Sequence, residues 1–156
     1  MVRDYESAVG NYLRRRLYPL SDADLDDLVA ETFTIVWRRF DAMPRDAELP
    51  WIIGVARNVL HNAQRSRHRR IVHEGALRVR GDASSTEDIV VADERVRHAL
   101  QALRADEREA LLLHAWDGLS VADVARVLGV SADAAAVRLS RARHRFRALF
   151  DQWDES

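Results

Sequence analysis

A chain of 156 residues has room for one ordinary domain or two small ones, and its apolar fraction of 47% is that of a globular protein. There is no cysteine, which excludes disulfides and thiolate metal sites, and no apolar run approaches the ~18 residues of a membrane span. Net charge is only −1, but all 24 basic residues are Arg and they are unevenly placed, so charge segregation is more informative than the total.

Met1 to Leu20 is polar and Arg-rich without an apolar central segment, so no signal peptide is expected and the default compartment is the cytoplasm. The first predicted helix covers Tyr5 to Leu17, with Val9, Tyr12, Leu13 and Leu17 at helical spacing. Ser21 to Asp27 is acidic, and Asp22 or Asp24 is expected to cap a second helix, where negative charge suits the N-terminus. That helix runs to about Phe40 along an apolar face of Leu25, Leu28, Val29, Phe33, Val36, Trp37 and Phe40. Pro44 and Pro50 bracket a loop. A third, long helix starts near Trp51 and carries Ile52, Val55, Ala56, Val59 and Leu60. It ends in a basic run of Arg65, Arg67, Arg69 and Arg70, with His61 and His68 among them and no acid between Trp51 and Val72.

Gly81 to Thr86 breaks this pattern inside a polar, partly acidic stretch, the best linker candidate. Helical periodicity resumes from about Val91, with Val96, Leu100 and Leu103 on one face. Asp106 and Glu109 then form a D-x-x-E pair before Ala110 to Leu113, a start signal for a further helix that Asp106 is expected to cap. No segment reads as a strand and no internal repeat is present. The predicted fold is all-α: two small helical domains, 1–72 and 93–156, joined by a flexible linker, 73–92.

Gly118 to Phe150 reads as two helices joined by a tight turn. Ser120 caps the first, which has Asp123 at its third position and Val121, Val124, Ala125 and Leu128 on its inner face. Gly129 sits where the chain turns and can take a left-handed conformation cheaply, and Ser131 caps the second helix. There Ala135, Leu139, Ala142, Phe146 and Leu149 form an apolar stripe, opposite Ala136, Val137, Ser140, Arg141, Arg143 and His144. Such a helix-turn-helix with a basic second helix is built to enter a DNA groove. The competing reading of its Arg residues is a solvated basic face. No catalytic constellation is visible: His61, His68, His73, His98, His114 and His144 are scattered, with no H-E-x-x-H, nucleophile elbow or Gly-rich phosphate loop. No enzymatic activity, metal or cofactor is expected.

The strings DDLVAETFTIVWRRF (Asp26 to Phe40) and LPWIIGVARNVLHNAQRSRHRR (Leu49 to Arg70), followed by GLS-x-x-x-x-A-x-x-LGVS from Gly118, resemble bacterial sigma factors. The resemblance covers nearly the whole chain and is to the small extracytoplasmic-function class of the sigma-70 family. It implies a protein that binds core RNA polymerase and directs it to promoter DNA. The domains 1–72 and 93–156 would then be sigma regions 2 and 4.

By that resemblance Asp27, Glu31 and Arg38 are candidates for polar contact with the polymerase, while Leu28, Phe33 and Trp37 are assigned to the core. The acidic cluster of Asp22, Asp24, Asp26, Asp27 and Glu31 suits a basic partner; the plainer reading is a solvated helix start that favours the dipole. The resemblance implies that the A-R-N helix handles the minus-ten element, where duplex DNA opens. Asn58 is the candidate for base readout because its amide offers a donor and an acceptor. Arg57 contacts the backbone or braces the fold, and Arg65, Arg67, Arg69 and Arg70 follow phosphates. Trp51 is either a stacking residue or a core anchor. The positions matching minus-thirty-five readout are Ala136, Val137 and Ser140, with Arg138, Arg141 and Arg143 nearby. Ala136 departs from the basic residue of many relatives, Ala105 from a frequent Pro, and the first helix begins unusually close to Met1. Sigma factors of this class are commonly held by an anti-sigma protein, so such a partner is a further candidate, although no residue here points to one. The alternative is a stand-alone helix-turn-helix regulator whose first lobe dimerises or senses.

Overall fold

The computed structural model describes residues 2–17, 20–73 and 93–155. Apart from His73, the expected linker lies outside the described residues. Among the described residues every regular element is a helix, and the chain divides into two compact units, Met1–Val90 and Val91–Ser156.

The first unit is built from α1 (Val2–Arg14), α2 (Asp22–Arg38) and α3 (Glu48–His73), each packed on the other two. Val9, Tyr12, Leu13, Leu28, Val36, Ile52, Ile53, Ala56, Val59 and Leu60 are all buried. Arg16 is also fully buried, just beyond α1: its guanidinium lies 4.0 Å from the Tyr12 ring centre, and Nη1 donates to the Tyr12 carbonyl at 3.0 Å. Gln64 Nε2 donates to the Arg16 carbonyl at 2.9 Å, tying the end of α1 to α3. At the other end of this contact the Tyr5 hydroxyl donates to Glu48 Oε2 at 2.5 Å, and that bond raises the Tyr5 pKa above its usual 10.0.

The first unit departs from the sequence expectations at several points, beginning with α1, which spans Val2–Arg14 where Tyr5 to Leu17 is expected. The residue flanking α2 is Ser21, not Asp22 or Asp24. Asp24 sits in the first turn, and its carboxylate reaches back to accept from the Ser21 N–H and hydroxyl, each at 2.9 Å. The α2 stripe does not continue through Trp37 and Phe40, which are 79% and 54% exposed. Counting about 100° per residue, Leu28, Thr32 and Val36 share one line, and Trp37 lies across the helix from it. Thr32 fills the place a longer apolar stripe would have taken, its hydroxyl satisfied by the Leu28 carbonyl at 2.7 Å. The helix ends at Arg38 with Arg39 as its C-terminal cap, and Phe40–Ala42 form a short 3-10 turn. The Pro44 to Pro50 segment is not all loop: α3 begins at Glu48 and takes Pro50 into its first turn, where a missing N–H costs nothing.

The second unit comprises α4 (Glu94–Ala102), α5 (Ala105–Ala115), α6 (Val121–Leu128) and α7 (Ala132–Glu155), with α7 packed on the other three. Asp93 caps α4 by accepting from the N–H groups of Arg95 and Val96. The residue flanking α5 is Arg104; Asp106 is already inside the helix and accepts from the Glu107 N–H at 2.9 Å. The sharp corner between α4 and α5 is held by Arg108, only 5% exposed, which donates to the carbonyls of Leu100 (2.9 Å), Gln101 (3.3 Å) and Leu103 (3.0 Å). The Leu100 carbonyl also accepts from the Leu103 N–H at 3.2 Å, and Arg108 adds to it while serving the later carbonyls at the end of α4, where intrahelical partners run out. The helix-turn-helix follows the sequence expectation. Ser120 Oγ accepts from the Asp123 N–H and Ser131 Oγ from the Ala134 N–H, both at 3.1 Å, and Gly129 turns with φ +68°. That backbone conformation favours glycine.

Candidate nucleic-acid and partner interfaces

Burying Leu28, Thr32 and Val36 leaves the opposite side of α2 in solvent. Asp27, Ala30, Glu31, Thr34, Trp37 and Arg38 are all exposed there. At about 100° per residue they fall within roughly one third of the helix circumference. All three polar partner-contact candidates, Asp27, Glu31 and Arg38, therefore share one face. Trp37 joins them, contrary to its expected place in the core. Its ring centre lies 6.0 Å from that of Phe40. A large aromatic beside separated charges of both signs has the composition of a contact surface, in which aromatic anchors contribute most. The signal was in the sequence: Trp37 falls off the line set by Leu28 and Val36.

On α3 the apolar first half builds the core and the second half extends from it as a basic rod. Asn58, Arg65, Arg67, Arg69 and Arg70 are exposed, while Arg57 is half-buried. Helical position divides them. Trp51, Asn58, Asn62, Arg65 and Arg69 fall on one line, at the spacing of successive turns. Trp51 is half-buried there, between its two expected roles. Arg65 donates to Asn62 Oδ1 at 2.6 Å. Arg67 and Arg70 fall on another line, where they act electrostatically on Asp24. The hydrogen bonds from Ser21 chiefly, and then these two guanidinium groups, hold the Asp24 carboxyl below its usual 3.8. The basic run is thus not one uniform strip: Arg65 and Arg69 extend the Asn58 face, and Arg67 and Arg70 face the acidic start of α2.

The exposed side of α7 carries Ala136, Val137, Ser140, Arg141, Arg143 and His144, as the sequence pattern indicates. The buried stripe opposite consists of Ala135, Leu139 and Ala142, none more than 1% exposed. Arg138 is placed differently from its neighbours. It is turned toward α5, with Nε 3.8 Å from Asp106 Oδ2 and the side chain 27% exposed. Two turns on, Arg145 pairs with Glu107 at 3.7 Å, and the Glu107 side chain is only 5% exposed. These two guanidinium groups brace α7 on α5, a role that sequence spacing does not distinguish from DNA contact. Near the end of α7, Arg95 stacks 3.8 Å over Phe150 and His98 lies 5.0 Å from Trp153, which fixes α4 on the last turns.

No helix among the described residues is long and apolar enough to cross a membrane. Residues 1–70 match the family model of Sigma-70 region 2, and residues 93–146 match that of Sigma-70 region 4. The RNA polymerase sigma factor CnrH of Cupriavidus metallidurans is 30% identical over 149 residues, which span 87% of this chain and 78% of that protein. The ECF RNA polymerase sigma factor SigC of Mycobacterium tuberculosis is 36% identical over 136 residues, 80% of this chain and 69% of that one. The solved structure of CnrH in complex with the cytosolic domain of CnrY superposes with a TM-score of 0.66 at 26% identity, covering 97% of this chain and 85% of that chain. The sigma factor RpoE of Bartonella quintana, solved with the anti-sigma factor NepR, gives 0.67 at 22% identity, with 96% and 93% coverage, and shares the fold. None of these matches favours the alternative of a stand-alone regulator.

Proposed function

The chain belongs to the sigma-70 family of RNA polymerase sigma factors, in its extracytoplasmic-function group, and directs core RNA polymerase in promoter-specific transcription initiation; from that premise we propose how its surfaces divide the work. The exposed face of α2 docks on the polymerase, with Asp27, Glu31 and Arg38 making polar contacts around Trp37. The observation that carries this reading is Trp37 itself, 79% exposed on the same face as those three charges. An isolated unit gains nothing from leaving an indole in water, whereas a docking surface gains most from such a residue.

The Asn58 face of α3 handles the opened minus-ten element. Asn58 reads an unpaired base, Arg65 and Arg69 follow the strand beside it, Arg57 adds charge next to that line, and Arg67 and Arg70, on the side turned to α2, take phosphates further along the strand. The outward face of α7 enters the minus-thirty-five element, where Ala136, Val137, Ser140 and Arg141 meet base edges and Arg143 meets phosphate. Arg138 positions the helix through Asp106. Residues 1–72 and 93–156 act as the two promoter-binding domains and 73–92 as the linker. The protein works in the cytoplasm and performs no chemistry of its own. An anti-sigma protein is a further partner in this reading, supported by the complexes of CnrH with CnrY and of RpoE with NepR.

The test is run-off transcription with core polymerase and the DNA upstream of the gene's own operon. A start-site-specific transcript that depends on this chain is expected. Its absence from every native promoter tried would refute the assignment of surfaces. Failure of the chain to pull down core polymerase would refute the docking face of α2 in particular.

A further inference from the structure

Among the described residues only four large apolar side chains are exposed: Trp37, Phe40, Val137 and Trp153. Trp37 and Phe40 form the docking patch, and Trp153 leans on His98. Val137 is 49% exposed near the start of α7. At about 100° per residue it stands roughly 160° from the centre of the Ala135, Leu139 and Ala142 stripe, so it projects almost directly away from the unit. Its surroundings favour close approach to another surface. Ala132, Ala134 and Ala136, all exposed, keep the flanks of the first turns low, and the longer side chain there is the exposed Asp133, one turn before Val137. The adjacent guanidinium of Arg138 is drawn aside by Asp106 at 3.8 Å. One turn on, the exposed Ser140 and Arg141 flank Val137 with a hydroxyl and a five-donor cation.

In the major groove one base edge carries an apolar group, the C5 methyl of thymine. We propose that Val137 is a specificity-determining residue that selects thymine at one position of the upstream promoter element by packing its two methyls against that C5 methyl. Ser140 and Arg141 then meet the neighbouring base pairs and phosphates. The inference rests on the proposed entry of α7 into this element. It assigns selection of that one thymine to an apolar contact at the centre of the face, with Arg141 and Arg143 around it holding the register.

The experiment uses the full-length chain assembled with core polymerase. A duplex library randomised in the upstream element is selected for binding, and a selected promoter is resynthesised with each thymine of that element replaced in turn by deoxyuridine, which removes the methyl and nothing else. At one position the replacement is expected to weaken binding by the wild-type holoenzyme about three- to fivefold, the worth of one buried methyl. Val137→Ala, at an exposed helical site, is expected to bind the thymine promoter weaker by the same factor and to be indifferent to deoxyuridine at that position. Val137→Thr, which keeps one methyl, should fall between. A wild-type holoenzyme indifferent to deoxyuridine everywhere would overturn the inference, as would Val137→Ala retaining the wild-type sensitivity. Either result leaves promoter binding itself intact and so spares the functional reading. Failure of the unmodified holoenzyme to select any upstream element would overturn both.

Discussion

Replacing Trp37 by Ala separates a docking surface from a core. A Trp side chain buries ~250 Å² at most, and with Trp37 79% exposed about 200 Å² of that remains available to a partner. At ~25 cal/mol per Å² the ceiling is about 5 kcal/mol. Incomplete burial and the cost of ordering the interface reduce this to about 2–3 kcal/mol, the range of an interface hot spot. The Kd for core polymerase should therefore rise about 30- to 150-fold in Trp37→Ala, measured by titrating a fluorescently labelled chain with core enzyme. Folding should be nearly untouched, because the residue leaves little contact behind and Ala is the better helix former; the shift in a urea melt should stay within about 0.5 kcal/mol. If Trp37→Ala binds core polymerase as tightly as the wild type, the assignment of this face is refuted. A melt destabilised by about 3 kcal/mol or more would instead return Trp37 to the core.

Asn58→Ala should reduce open-complex formation about tenfold, read as permanganate reactivity of the minus-ten thymines, with polymerase binding unchanged; loss of both together would mean that Asn58 serves the fold. Arg108→Met removes three hydrogen bonds to the end of α4 and should lower full-chain stability by about 3 kcal/mol in a urea melt; a change under about 1 kcal/mol would show that water satisfies those carbonyls equally well. The Asp24 carboxyl titrates below its usual 3.8 in the folded state, through its hydrogen bonds from Ser21 and the nearby Arg67 and Arg70. Its contribution is complete above that value and disappears as pH falls through the lower folded one, so Asp24→Asn should flatten the acid limb of stability below about pH 4. An acid limb identical to the wild type would contradict this sign.

Local chemistry carried much of the molecule into view from the sequence. The helix-turn-helix was legible because each of its parts is short-range: Ser120 and Ser131 cap the helix that follows each of them, Gly129 alone suits the left-handed turn, and Ala135, Leu139 and Ala142 recur at the helical period. The order of motifs from Asp26 to Ser131 likewise indicated the family, because it needs no knowledge of which side chain touches which. The caps of α2 and α5 are not legible where several acids crowd a helix start, since composition cannot say which of neighbouring residues such as Ser21, Asp22 and Asp24 occupies the flanking position.

The direction in which side chains point is set only once the helices pack. Thr32 enters the core of the first unit because its hydroxyl finds the Leu28 carbonyl, and Trp37 is turned out by that choice of face. Arg138 is a DNA-contact candidate by sequence, but Asp106 lies across from it on α5 and claims it, as Glu107 does Arg145. Val137, one residue from Arg138, is left pointing outward. Sequence periodicity fixes the angle between two residues on a helix; which angle faces the protein is settled by the helix packed against it.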